Sequence, residues 1–310
     1  MLLSSPRDNG SSRKPGSFTK NPRSVGLFSQ HYGGFVEVRA HAKINLFLDV
    51  LNKRADGYHN ISSIMHSVNL WDALSFSPGA GDVTLETDMP GLQTDDSNLI
   101  IKAAKLIMNK ADINYPIHIK LQKNIPMGAG LGGGSSNAAA VLKSLNALFD
   151  LKIPRPDLME LGKTLGADVP FCLLGGTALA EGIGEKLTPL NPLPPCHIVL
   201  VCPPIHVSTK EVFGRLIGGA KKNKTPEFIN SGCLHKIAKN LYNVFTPITV
   251  SLHPLVGQLI SDLNENGAIG ASMTGTGSTV FGIFEDEDNA KYACNILRDK
   301  HPQSKVFHCN

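Results

Sequence analysis

The sequence predicts an α+β fold arranged in two domains. From Phe35 onward the first half is rich in strand-like segments with apolar and polar residues in alternation, as in PIHIKLQKNI. The proline-rich run NPLPP at residues 191–195 has the composition of a linker between domains. Beyond it, strand-like and helical segments alternate, which favours an α+β sandwich. We therefore expect one domain over residues 35–190 and a second over residues 191–310.

The predicted elements of the first half follow from local patterns. FVEVRAHAKINLFLDVL, ISSIMHSVNLW, LSFSP and DVTLET are rich in β-branched and apolar residues, which is typical of strands. SNLIIKAAKLIMNKA carries a helical apolar stripe, and Ser97 is its candidate N-cap. After the strand PIHIKLQKNI, the segment SSNAAAVLKSLNALFDL predicts a helix of about four turns. PDLMELGKTLG predicts a second, short helix.

In the second half the strands are predicted in HIVLVCPP, STVFGIF and KVFHC. Helices are predicted around residues 210–217, over residues 255–264 and in DNAKYACNILRDK.

Composition excludes several classes of protein. The 310 residues are 42% hydrophobic and 18% charged, an ordinary globular balance that excludes wholesale disorder. A net charge of +4 is too small for a nucleic-acid-binding protein. The six cysteines are scattered without a C-x-x-C pair, which predicts free thiols in a reducing compartment and gives no support to a zinc site. No run of about 18 apolar residues exists, so no membrane span is expected.

Residues 1–34 differ in composition from the rest. They are rich in Ser, Gly and basic residues, Asp8 is their only acid, and they lack the apolar core of a secretory signal. This composition fits a disordered extension of a cytoplasmic bacterial protein and also fits an organelle transit peptide, which would direct the protein to a plastid. Both interpretations remain open.

The most informative segment is glycine-rich and lies between a predicted strand and a predicted helix. It consists of Pro126, Met127, Gly128, Ala129, Gly130, Leu131, Gly132, Gly133, Gly134, Ser135 and Ser136. Glycines let a backbone adopt positive φ or approach a ligand closely. The amides of such a loop and of the helix start behind it form a favourable cradle for anions. The two serines could cap the helix, bind a phosphate oxygen or contact a magnesium ion.

Two familiar phosphate-binding motifs compete for this segment. A Walker A loop is absent, because Asp157 stands where its first glycine belongs ahead of Gly162-Lys163-Thr164. Gly128-x-Gly130-x-x-Gly133 satisfies the dinucleotide fingerprint, but the acid at the expected spacing, Asp150, ends a helix instead of a strand. A NAD-dependent oxidoreductase is kept as an alternative.

Three motifs in order resemble those of the GHMP kinases, named for galactose, homoserine, mevalonate and phosphomevalonate. They are AKINLFL at residues 42–48, the glycine-rich segment at residues 126–136, and MTGTGST at residues 273–279. The resemblance implies a two-domain GHMP kinase fold. Its N-terminal ATP-binding domain would be like ribosomal protein S5 domain 2, and its C-terminal domain would be a ferredoxin-like α/β sandwich. The active site would lie in the cleft between them, with ATP and Mg²⁺ as cofactors and Ser136 as a candidate metal contact.

Within the family, RADGYH at residues 54–59 is similar to the branch whose small-molecule substrate carries a cytidine diphosphate group. This likeness implies ATP-dependent phosphorylation of a hydroxyl of that substrate. The alternatives are another GHMP kinase acting on homoserine, mevalonate or a sugar, and an inactive member that serves as a binding protein. Oligomeric state is not indicated.

The resemblance assigns two catalytic residues. Asp168 would accept the proton of the attacking hydroxyl, and Lys43 would stabilise the charge that develops on the transferring group. Taken alone, a lysine in a strand usually lies on the solvent face, and an aspartate after Gly-Ala is usually a turn former or cap.

The remaining assignments concern ligand contacts. Asn98 is assigned to the nucleotide, and the substrate-binding residues are predicted to be Asn45, Tyr58, His59, Phe213, Thr276 and Gly277. Tyr58 and His59 would hold the cytosine, and Phe213 would supply the opposing aromatic face. A core position in the second domain is the alternative for Phe213.

Overall fold

A computed structural model describes residues 36–216 and 227–310 of the chain. The predicted extension at residues 1–34 lies outside them, and so does the end of the helix predicted around 210–217. The described residues form a seven-stranded and a four-stranded sheet with helices packed against both, so the α+β prediction is confirmed. The domain boundary at residue 190 stays a prediction.

The first sheet is built on a long antiparallel pair. Its strands are β1 (Val36–Lys53), β2 (His59–Pro78), β3 (Thr84–Thr87), β4 (Ile117–Gln122), β5 (Thr177–Gly182), β6 (Lys186–Pro189) and, later in the chain, β8 (Tyr242–Asn243). β1 and β2 pair from Val36 opposite Phe76 to Lys53 opposite His59, with register irregularities on either side of Lys43. The nine residues from Ala42 to Val50 are all buried, because both faces of β1 are covered there. This stretch therefore lacks the alternation of a half-exposed strand.

Four helices of the N-terminal half follow in chain order. They are α1 (Leu99–Lys110), α2 (Gly133–Leu148), α3 (Arg155–Leu165) and α4 (Val169–Leu174). α1 and α2 share a core with the sheet that includes Phe76, Ile107 and Leu145, all fully buried.

The N-cap of α1 differs from the prediction by one residue. Asn98 caps the helix, since its Oδ1 accepts a 2.9 Å hydrogen bond from the amide of Ile100. The expectation for Ser97 is wrong because its hydroxyl and amide both donate to Asp95 Oδ1 instead.

The second sheet has the strand order β11-β7-β10-β9, and every neighbouring pair is antiparallel. Its strands are β7 (His197–Cys202), β9 (Gly270–Met273), β10 (Val280–Phe284) and β11 (Lys305–Cys309). The helices of this half are α5 (Thr209–Gly214), α6 (Leu234–Lys239), α7 (Thr246–Leu252), α8 (Pro254–Glu265) and α9 (Glu287–Lys300). α8 and α9 pack on the sheet through a core that includes Leu259, Phe284 and Leu297.

The two sheets meet at the centre of β1. β8 pairs with β1 in parallel, with Phe47 opposite Tyr242. Ile44 and Leu46 share a buried cluster with Leu200 and Phe281 of the second sheet. This contact brings the middle of β1 close to the turn between β9 and β10. Among the described residues, no helix is long and apolar enough to cross a membrane.

Candidate active site

The glycine-rich segment forms a tight loop that ends in the first turn of α2. Gly128, Gly130 and Gly132 have φ angles of +64°, +79° and +68°, which side-chain-bearing residues rarely adopt. A Cβ on Gly130 would lie 2.5 Å from the carbonyl oxygen of Thr274, and one on Gly132 would lie 3.0 Å from Cγ of Lys43. Glycine is therefore required here by backbone conformation and by close packing together.

The start of α2 corrects the expectation that its serines cap the helix. Gly132 is the N-cap and the helix begins at Gly133, so Ser135 and Ser136 lie inside its first turn. Ser136 is buried, and its hydroxyl donates a 2.6 Å hydrogen bond to the carbonyl oxygen of His41. The first amides of α2 lie at the positive end of the helix dipole, which favours an anion beside the loop.

A cavity of about 540 Å³ opens between the glycine loop and residues 91–100. Every residue from Pro126 to Ser135 lines it, and so does Asn98, whereas Ser136 does not. This volume is in the usual range for a small-molecule site. Backbone amides, a helix start and the absence of side chains at the five glycines of the loop suit this wall to a polyphosphate.

Asn98 uses both ends of its side-chain amide within the chain. Besides capping α1, it donates a 2.6 Å hydrogen bond from Nδ2 to the carbonyl oxygen of Gln93. The residue thus shapes one wall of the cavity, and direct contact with a nucleotide stays a prediction.

Lys123 also lines this cavity and was not singled out from the sequence. Its Nζ donates to Asp72 Oδ2 at 2.6 Å and to the carbonyl oxygen of Ile125 at 2.7 Å. Asp72 Oδ1 in turn accepts the amides of Asn124 and Ile125, both at 2.8 Å. Burial lowers the pKa of Lys123, and the opposing effect of the Asp72 carboxylate is smaller. This buried ion pair fixes the chain as it enters the glycine loop.

The two predicted catalytic residues lie together at the mouth of the loop. Lys43 Nζ is 3.5 Å from Asp168 Oδ2, with side-chain exposures of 6% and 30%. The amide of Lys43 donates to the carbonyl oxygen of Leu131 at 3.0 Å, and a Cβ on Gly132 would lie 3.7 Å from Asp168 Oδ2. The solvent-face interpretation of Lys43 is therefore wrong, because the residue is buried under the loop.

Asp168 stands at the start of α4 but does not cap it with its side chain. Its carboxylate is therefore available to a ligand and to Lys43. Burial raises the pKa of the neighbouring Cys172 thiol to about 12, with the Asp168 charge as a smaller cause. That thiol is not a nucleophile at neutral pH.

Asn45 is buried beside Lys43, and its Oδ1 accepts a 2.9 Å hydrogen bond from Lys43 Nζ. Contact between Asn45 and a substrate stays a prediction.

The second glycine motif, at residues 273–279, packs directly against the first. Gly275 has a φ of +59°, and a Cβ there would lie 3.1 Å from Cα of Gly130. The carbonyl oxygen of Thr276 accepts a 3.0 Å hydrogen bond from the Thr249 hydroxyl. The Thr276 hydroxyl lies 3.3 Å from the Thr209 hydroxyl. Gly277 has a φ of +93°. Roles for Thr276 and Gly277 in substrate binding stay predictions.

Two of the predicted base-binding residues are brought together by the fold. The rings of His59 and Phe213 have their centroids 5.1 Å apart, and Phe213 also packs on Phe245 at 4.5 Å. Phe213 is partly buried against the core of the second half and also contacts the ring of His59. Tyr58 is 62% exposed beside them. His59 and Phe213 thus form an aromatic pair, and a role for Tyr58 beside this pair stays a prediction.

His206 is a second residue that sequence patterns did not single out. It lies on the segment after β7, and a Cβ on Gly128 would be 3.1 Å from its Nδ1. No spacing rule connects a lone histidine to a loop about 80 residues earlier, so no signal could have found it.

The described residues hold no group of three or more His, Cys, Asp or Glu side chains suited to a metal ion. Mg²⁺ in nucleotide sites is commonly held by one or two protein ligands together with phosphates and water. Asp168 is partly exposed at the loop mouth, whereas the Ser136 hydroxyl is bonded to the His41 carbonyl oxygen and does not line the cavity. These residues therefore fit an ion carried mainly by the nucleotide.

Comparison with known proteins agrees with the motifs. The family model for the GHMP kinases N terminal domain matches residues 98–176, and the model for the GHMP kinases C terminal matches residues 227–303. A 4-diphosphocytidyl-2-C-methyl-D-erythritol kinase of Clostridium botulinum is 41% identical over 271 residues, covering 86% of this chain and 97% of that protein. The chain belongs to the GHMP kinases. The family prediction is confirmed, and the alternative of a NAD-dependent oxidoreductase is overturned.

Further relatives place the chain within this GHMP family. A 4-diphosphocytidyl-2-C-methyl-D-erythritol kinase of Caldicellulosiruptor bescii is 42% identical, covering 85% of this chain and 94% of that protein. A crystal structure of 4-(cytidine 5'-diphospho)-2C-methyl-D-erythritol kinase superposes with a TM-score of 0.75 at 33% identity, covering 88% of this chain and 98% of the other. A homoserine kinase from Cytophaga hutchinsonii matches at a TM-score of 0.70 but 20% identity, which shows the fold alone.

Proposed function

We propose that this GHMP kinase transfers the γ-phosphoryl group of ATP to the 2-hydroxyl of 4-diphosphocytidyl-2-C-methyl-D-erythritol, giving the 2-phosphate and ADP. The reaction belongs to the non-mevalonate route to isoprenoid precursors. The observation that carries the proposal is the convergence of Lys43 and Asp168 at the mouth of the glycine loop. The named relatives supply the acceptor, and the aromatic site of Tyr58, His59 and Phe213 suits a pyrimidine base.

Each group of the site has a role in the proposed reaction. The glycine loop and the start of α2 hold the polyphosphate through backbone amides. Asp168 takes the proton from the attacking hydroxyl as the new oxygen–phosphorus bond forms and the bond to ADP breaks. Lys43 stabilises negative charge on the transferring group. Mg²⁺ bound to the phosphates would supply further charge neutralisation.

The direct test is an assay of the purified full chain with ATP and the cytidyl-linked acceptor, measured as ADP release. Asp168→Asn should lower kcat by about 10²–10⁴-fold, the usual contribution of a general base. Its thermal stability should change little, because the Asp168 side chain is 30% exposed and caps no helix. A folded wild-type protein without turnover would refute the acceptor. A large fall in the stability of Asp168→Asn would favour a structural role.

Competition experiments separate this acceptor from those of other GHMP kinases. Cytidine nucleotides should compete with the acceptor at the aromatic site of Tyr58, His59 and Phe213. Failure to compete, with turnover of homoserine, mevalonate or a sugar, would favour another branch of the family.

We further propose that the enzyme acts in the cytoplasm of a bacterial cell, as its bacterial relatives suggest. Sequencing the N-terminus of the mature protein tests this proposal. Processing near residue 34 would favour import into a plastid instead.

A further inference from the structure

Thr274 is the residue at which all three GHMP motifs meet. Its hydroxyl oxygen accepts a 3.0 Å hydrogen bond from the amide of Asn45 in β1 and lies 3.1 Å from Asn45 Oδ1. The same oxygen is 3.4 Å from the carbonyl oxygen of Gly130 in the glycine loop. Thr274 itself is fully buried. Its hydroxyl therefore links the C-terminal motif to β1 by hydrogen bonds and lies beside the glycine loop, without contacting solvent.

The chemistry of the neighbours fixes the orientation of the Asn45 amide. Lys43 Nζ and the amide of Gly275 are donors only, and they lie 2.9 Å and 3.0 Å from Asn45 Oδ1. On the opposite side Asn45 Nδ2 donates a 2.8 Å hydrogen bond to the Ser63 hydroxyl. That hydroxyl in turn donates a 2.7 Å hydrogen bond to the carbonyl oxygen of Phe47. If the Asn45 amide were flipped, its NH₂ group would face two groups that can only donate, the Lys43 ammonium and the Gly275 amide. The Asn45 oxygen must face Lys43.

This network determines where the Lys43 ammonium lies. Asn45 Oδ1 holds it from one side at 2.9 Å and the Asp168 carboxylate lies 3.5 Å away. Since an ammonium has three N–H bonds, a donor direction remains for a phosphate oxygen at the loop mouth. Asn45 Oδ1 accepts hydrogen bonds from three donors, one of which is Lys43 Nζ. The other two, the Thr274 hydroxyl and the Gly275 amide, belong to the C-terminal motif.

We propose that Thr274 is a positioning residue for phosphoryl transfer. Through Asn45 its hydroxyl orients the Lys43 ammonium, so the chemical step depends on the seating of the C-terminal glycine motif against β1. The inference rests on the proposed function for its kinetic test. It assigns Asn45 a role in holding Lys43 that does not need direct contact with the acceptor.

The test compares Thr274→Val, which removes the hydroxyl at nearly constant volume, with Thr274→Ser, which keeps it. Thr279→Val is the matched control, because Thr279 is equally buried in the same motif and its hydroxyl donates to Cys202 Sγ. Thr274→Val should lower kcat by about 10–100-fold, as expected for a small misplacement of a catalytic group. The Kd for ATP, measured by calorimetry, should change less than about threefold. Thr274→Ser should stay within about threefold of wild-type kcat.

The control defines the results that would overturn the proposal. Wild-type kcat in Thr274→Val would refute it. Equal losses of kcat in Thr274→Val and Thr279→Val would show that any lost hydroxyl in this motif acts structurally. The double variant Thr274→Val, Asn45→Ala should have nearly the same kcat as Asn45→Ala alone, because Thr274 acts on Lys43 only through Asn45. Multiplicative losses would contradict that path.

A spectroscopic measurement keeps this inference separate from the identity of the acceptor. In full-length protein labelled with ¹⁵N at lysine Nζ, the Lys43 resonance should shift in Thr274→Val and stay in place in Thr279→Val. If the wild-type chain does not phosphorylate the cytidyl-linked acceptor, the proposed function fails while this readout still tests the positioning. An unmoved Lys43 resonance in Thr274→Val would refute the inference whatever the acceptor is.

Discussion

Gly130 offers the sharpest test of how the two glycine motifs fit together. An alanine at this position would place its Cβ 2.5 Å from the carbonyl oxygen of Thr274, in a backbone conformation with φ of +79°. An ordinary contact begins at about 3.4 Å, so the C-terminal motif must retreat by about 0.9 Å. Since the obstructing atom is backbone oxygen, no side-chain rotation can relieve the clash.

The cost of Gly130→Ala has two parts that can be separated. Positive φ costs an alanine about 1–2 kcal/mol, and overpacking costs about 1–3 kcal/mol more. The expected loss of unfolding free energy is therefore about 2–5 kcal/mol. A displacement near 1 Å of the network that holds Lys43 should also lower kcat by up to about 10²-fold.

The assay is urea unfolding of the full chain, combined with steady-state kinetics on the folded fraction. Gly267→Ala is the control, because Gly267 has a φ of +95° with open space around its missing side chain. It should show the conformational cost alone, about 1–2 kcal/mol, and should leave kcat unchanged. Equal destabilisation by the two substitutions, with wild-type kcat in both, would refute the close fit of the two motifs.

Two further predictions concern buried charges. Lys123→Met should lower the unfolding free energy by about 3–5 kcal/mol, because it leaves the fully buried Asp72 carboxylate without its cation; a loss below about 1 kcal/mol in urea unfolding would contradict this. Burial lowers the pKa of His66 to about 4 from 6.5, so between these values the unfolded chain binds a proton that the folded chain does not. Stability should therefore fall as the pH drops from 6.5 to 4, by at most about 3 kcal/mol from this group. His66→Gln should flatten the curve of unfolding free energy against pH between pH 4 and 6.5. An unchanged slope would show that His66 does not cause the fall in stability.

Local patterns predicted the elements with a clear apolar stripe or a run of apolar and β-branched residues. The helix over residues 255–264 is found at Pro254–Glu265, and the strand in KVFHC is found at Lys305–Cys309. The short helices α4 (Val169–Leu174) and α7 (Thr246–Leu252) were not predicted, because one or two turns display no apolar stripe. The N-cap of α1 was misplaced because Ser97 and Asn98 are both good caps, and only the hydrogen bond from Ser97 to Asp95 decides between them.

The candidate site was predictable in its members but not in its internal geometry. The glycine motif indicates an anion cradle, and the family resemblance supplies Lys43 and Asp168. Burial of Lys43 was not predictable, because it depends on the register irregularity between His41 and Lys43 and on the glycine loop that folds over the strand. Lys123 was missed for a related reason, since a lysine after a strand is indistinguishable from a surface lysine until Asp72 is found beneath it.

The contact between the two glycine motifs has a consequence for how the halves of the chain cooperate. Each sheet has a core of its own, and a further buried cluster is shared by both sheets. The orientation of Lys43 depends on both halves, because Asn45 accepts hydrogen bonds from Thr274 and Gly275, which follow it by 229 and 230 positions in the chain. Relative movement of the two sheets would disturb the cluster that they share and would also displace the ammonium from the loop mouth. Activity should therefore fall in step with the loss of this shared cluster as the urea concentration rises.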